Sequence, residues 1–166
     1  MIHIRGKYML VVLMALGLMS LQPRLALAER PLVELEMTAH KVIESTNSNG
    51  EVITKLVEPT TVIPGDIIVY TTHYRNISDK SVGDIAITNQ IPAEMRLIDN
   101  SLTENVAVKF SIDGGKHFDV PSKLFKTSAD NQQVPAASSD YTNLQWTFST
   151  LAPQAKGSVS FRAQLQ

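Results

Sequence analysis

The chain has 166 residues, 15 of them basic and 16 acidic, giving a formal net charge of −1, and 43% of the residues are hydrophobic. It contains no cysteine, which excludes disulfides, zinc–thiolate sites, thiol nucleophiles and thiol redox chemistry. The two signs of charge are interspersed without a basic run, so the clustered positive face that nucleic-acid binding requires is missing.

The first 28 residues read as a secretory leader. Arg5 and Lys7 make a basic start, Tyr8 to Leu21 is uncharged and almost wholly apolar, and Ala26-Leu27-Ala28 is an A-x-A site before Glu29. Basic, apolar and small-residue regions in that order are a signal peptide. The apolar run is shorter than the about 20 residues a membrane-spanning helix needs; a retained anchor helix is the alternative reading. No cysteine follows the run, which excludes an N-terminal lipid anchor. The expected product is residues 29–166, exported to a periplasm or the exterior and touching a membrane only through an uncleaved leader. Losing Arg5, Lys7 and Arg24 leaves 12 basic against 16 acidic residues, a formal charge of −4. Its length suits one domain that buries roughly two thirds of its unfolded surface. Without disulfides, core packing alone must hold it.

After the leader, alternation dominates. Val33, Leu35 and Met37 alternate with Glu34, Glu36 and Thr38, the period of a half-buried strand. Asn49-Gly50 signals a turn, and Glu51 to Glu58 reads as the partner strand of a hairpin. Pro59 and Pro64 interrupt the ladder because proline has no amide proton to donate. Gly65 permits a tight turn into a strand from Asp66 to Asn76. Its even positions, Ile68, Tyr70, Thr72 and Tyr74, hold two aromatics and are expected to face the core. Ser78 to Ser81 favours a turn. Asp84 to Asn89 is a strand with Ile85 and Ile87 on one face, broken by Ile91 to Met95. Val106 to Ile112 alternates again, and Asp113-Gly114-Gly115 turns it toward Phe118. Pro121 to Asn143 is polar and reads as a long loop, with a short element at Lys123-Leu124-Phe125. Leu144, Trp146 and Phe148 share one face of a strand. Gly157 to Leu165 is the last strand, with Val159 and Phe161 inward. Seven to nine short strands without a helical period point to an all-β, Ig-like antiparallel β-sandwich, with a barrel as the alternative.

Three segments together resemble a known module. They are Val62-Ile63-Pro64-Gly65-Asp66 running to Tyr70 and Asn76, Ile85 to Ala93, and Trp146 to Pro153 running to Phe161. Their order and spacing are similar to the DUF11 family, an Ig-like β-sandwich repeat of bacterial surface and exported proteins. The resemblance covers residues 59–165. It implies a scaffold or adhesive module and no catalytic activity. Where the family has Asp after its second strand this chain has Asn89, and where the family has Gly after its late proline it has Gln154. The first change removes a carboxylate that could serve a calcium site; the second is expected to alter a turn. Members occur in tandem arrays, and this chain shows one copy.

The candidate chemistry is sparse. Ser111 to Phe118 fits the Asp-box pattern S-x-D-x-G-x-x-W/F of sialidases, but such boxes repeat in propellers and this one stands alone; a hairpin braced by Asp113 and Ser111 is the preferred reading. His40, His73 and His117 are scattered, without metal-ligand spacing. No G-x-S-x-G elbow is present, and Asp66, Asp84, Asp99 and Asp113 sit where turns favour aspartate. No catalytic, cofactor-binding or metal-binding residue is therefore assigned, and no cofactor is expected. Asn76-Ile77-Ser78 matches a glycosylation sequon and reads as chance. The expected role is non-enzymatic: contact with another envelope or surface protein through a sheet edge or the Pro121–Asn143 loop. A glycan-binding module using Tyr141 or Phe125 is the alternative, and a hydrolase comes third. A pocket joining His73 or His117 to two carboxylates would favour the hydrolase.

Overall fold

The alternating segments become ten strands: β1 Val33–Thr46, β2 Val52–Val57, β3 Ile67–Asn76, β4 Val82–Gln90, β5 Met95–Leu97, β6 Ala107–Ser111, β7 Phe125–Thr127, β8 Gln133–Pro135, β9 Asn143–Leu151 and β10 Lys156–Leu165. The structure is a computed structural model that describes residues 31–166; the leader assigned to residues 1–28 lies outside the described residues. A five-stranded sheet has the order β2-β1-β3-β10-β5, a three-stranded sheet has β4-β9-β6, and β7-β8 form a small hairpin. All pairings are antiparallel. This is an all-β, sandwich-like arrangement that fits an Ig-like fold.

The core lies between the two sheets. Ile87, Leu144, Trp146 and Phe110 from the smaller sheet meet Val159, Phe161, Ala163 and Leu97 from the larger one. Trp146 and Leu144 are fully buried. Tyr70 stacks on Phe161 with ring centroids 5.0 Å apart, and Tyr74 packs against Phe148 at 4.8 Å. The expected inward face of β3 is therefore the inward face. Gly157 pairs with Tyr74, and a Cβ there would press on the Tyr74 ring, 2.7 Å from Cζ. The missing side chain is what lets the phenol lie across β10.

The Pro-Gly-Asp turn enters β3 as its residues dictate. Gly65 takes a φ of 94°, a region closed to most other residues. Asp66 accepts a bond from the Ile63 amide at 2.8 Å and pairs with Lys41, which holds its carboxyl below the usual range. Gly65 and Leu165 then tie the start of β3 to the end of β10.

The structure departs from the sequence reading in three places. The Pro121–Asn143 segment is not one loop. It contains the β7–β8 hairpin and 3-10 turns at Pro121–Lys123 and Ser138–Asp140, and Leu124 is buried in the core. Three-residue strands are too short to show a period, and Asn131 makes the connecting turn at a φ of 59°. The short strand β5 follows Pro92 for the same reason unseen. Most consequentially, β1 forms but is not half-buried: Leu35 and Met37 are 52% and 58% exposed. They lie on the core side of the five-stranded sheet, opposite Tyr74 and Thr72, but the facing sheet has only three strands and covers them in part: Asn89 Nδ2 reaches Met37 Sδ at 3.5 Å, and both side chains stay largely exposed.

Candidate functional site

The residues singled out by motif prove to be braces. Ser111 Oγ donates to Asp113 Oδ1 at 2.7 Å and accepts the Gly115 amide at 2.9 Å. Asp113 Oδ1 accepts the Lys116 and His117 amides at 3.1 and 3.0 Å, and His117 Nδ1 sits 2.6 Å from Oδ2. These bonds, that from Ser111 first, hold the Asp113 carboxyl far below its ordinary value. All the carboxylate's hydrogen bonds fall within its own hairpin, which the Phe110–Asp119 backbone pair closes. The Asp-box segment is a turn lock.

Asn76 is wholly buried. Its amide donates to the carbonyls of Lys80, Leu151 and Ala152 at 2.8, 3.1 and 3.0 Å, while its Oδ1 accepts from the Ser78 amide and hydroxyl. It pins the β3–β4 turn to the β9–β10 turn, and its nitrogen is closed to glycan attachment in the folded chain. Gln154 adopts a φ of 58°, the left-handed conformation that glycine takes more readily. Its side chain accepts from Arg75 and donates to the Ser78 carbonyl. Asn89 lies between the sheets: it accepts the Trp146 indole N–H at 3.0 Å and donates to Thr72 Oγ1 at 2.7 Å. A carboxylate there could not donate, so the amide suits the site better than aspartate would.

The outer face of the larger sheet places His73 between Glu36 and Ser158 on neighbouring strands, with Glu34, Arg75 and Lys156 in the next row. These residues line an open cleft of about 520 Å³. This is the histidine with two carboxylates that a hydrolase would require. None of His73, Glu36 and the Ser158 hydroxyl makes a side-chain hydrogen bond to another, and His73 is exposed. Among the described residues, no three His, Asp or Glu side chains converge to hold a metal ion.

The two candidate glycan-binding aromatics separate. Tyr141 stacks on Phe110 with centroids 4.5 Å apart and packs against the core. Phe125 is 49% exposed on β7 and is the one aromatic among the exposed large hydrophobic residues described. Among the described residues, no second exposed Phe, Tyr or Trp ring accompanies Phe125.

What remains is the edge of β1. It pairs with β3 over residues 33–41 and with β2 only over residues 41–46. Residues 33–40 therefore have no neighbour on one side among the described residues, and residues 42–46 run past the end of β3 with β2 as a projecting two-stranded arm. Val52 and Leu56 on that arm are 69% and 54% exposed. Leu35 and Met37 signalled a strand in the sequence; that they would be uncovered depended on the width of the opposite sheet, which no local pattern encodes. The chain matches no family model, no curated protein and no solved structure.

Proposed function

We propose that this chain is a non-enzymatic, exported Ig-like module of a bacterial cell envelope, of the DUF11 type, that works by protein–protein contact. The observation behind this reading is the β1 edge. Exposed apolar side chains at Leu35 and Met37 lie beside an unpaired strand edge, the arrangement that accepts another strand. The resemblance over residues 59–165 and the leader pattern of residues 1–28 support the exported, scaffold-like part of the reading. A single exposed ring at Phe125 gives less support to glycan binding, which depends on stacked platforms.

The test is a photo-reactive residue at position 37, activated in intact cells. The expected product is a defined protein adduct. Capture of a polysaccharide with no protein would contradict the proposal. For the leader, N-terminal sequencing of exported material should begin at Glu29, and a start at Met1 would contradict export by cleavage.

A further inference from the structure

Among the described residues, the edge of β1 over residues 33–40 and the outer edge of β2 have no strand beside them, and their chemistry matches. The Leu32 carbonyl accepts the Ile77 amide, so even-numbered β1 residues direct their backbone groups toward β3. Odd-numbered Val33, Leu35, Met37 and Ala39 direct theirs to the open side, because successive residues of a strand alternate. At the hairpin, Asn47 donates to the Glu51 carbonyl. The odd residues of β2 thus bond β1, and Val52, Thr54 and Leu56 present their amides and carbonyls outward.

We propose that the β2 strand of a second copy of this chain pairs antiparallel with residues 33–40 of β1. This inference rests on the protein-contact reading and names the partner. The hydrogen-bond phase fixes the faces. Val52, Thr54 and Leu56 of the second copy must stand beside Val33, Leu35, Met37 or Ala39, on the apolar core side of the acceptor sheet. Lys55 then falls on the other face, where β1 offers Glu34 and Glu36. In one register Lys55 is opposite Glu34; in the register two residues along it is opposite Glu36. Opposite charges directly across an antiparallel pair stabilise it. The six residues of β2 fit the eight-residue opening, which the molecule's own β2 closes at Lys41.

The arm and the edge are different surfaces of one chain. The contact is therefore head-to-tail, and it propagates to a ring or a filament instead of closing as a two-fold dimer.

Sedimentation of the purified chain over a rising concentration series tests this. The expected result is a ladder of species beyond the dimer. Lys55→Glu should shift the distribution to monomer. So should Glu34→Lys with Glu36→Lys, and mixing the two variants should restore the ladder, because each supplies the charge the other lacks. Leu35→Pro, which removes an amide that faces only the open side, should also give monomer, with thermal unfolding monitored to confirm the fold. A chain that stays monomeric at every concentration overturns the proposal. So does a ladder that Lys55→Glu leaves unchanged. A monomeric chain that still forms an adduct with a different protein from position 37 overturns self-pairing while leaving the protein-contact reading intact.

Discussion

Asn76 concentrates much of the loop order in one side chain. Its amide serves three carbonyls and its oxygen two donors, in a corner that is buried or partly buried at every bond. Asn76→Ala should cost about 1–3 kcal/mol, since buried polar groups are left unpaired, and chemical denaturation would read it as a lower midpoint. Asn89→Leu strands the indole N–H of Trp146 and the hydroxyl of Thr72; a loss of similar size is expected, with a shifted Trp146 emission. Asp113 supplies a pH dependence. Its folded carboxyl is held below the ordinary value by Ser111 and His117, so the stability it contributes is present above the unfolded pKa of about 3.9 and is lost as pH falls below it. Asp66 and Asp140 act in the same direction, each held down by hydrogen bonding to a lysine, Lys41 and Lys126. Thermal melts should decline below pH of about 4, and Asp113→Asn should flatten part of that decline.

At the scale of elements, legibility followed length and pattern. β9 was readable because Leu144, Trp146 and Phe148 alternate, and β3 because turn residues bracket a run of β-branched and aromatic side chains. β5, β7 and β8 have three residues each, fewer than a period needs to declare itself, and β5 is held by β10, distant in the chain. Asn76 was visible as the end of a strand, but its five hydrogen bonds join turns some 75 residues apart and are invisible to local reading. Gly157 belongs to the same class: its purpose is the Tyr74 ring across the ladder. Gly157→Ala should displace that ring from Phe148 and cost about 1–3 kcal/mol as overpacking, which thermal unfolding would register.

For the whole molecule, the decisive asymmetry is five strands against three. A core centred on Trp146 and Phe161 holds the sandwich without disulfides, while among the described residues the wider sheet leaves Leu35 and Met37 on its β1 flank largely exposed. The alternation of Val33, Leu35 and Met37 was sufficient to specify a strand and insufficient to say what covers it, because coverage is a property of the assembled sheets. The proposed role and the proposed self-pairing both depend on that flank.

Residue-resolved amide hydrogen exchange of the Lys55→Glu chain in dilute solution tests the flank directly. A paired strand with one open side predicts alternation: fast exchange at Leu35, Met37 and Ala39, and protection at Glu36, Thr38 and His40. Uniform protection across these six residues, or uniform fast exchange, would contradict the account.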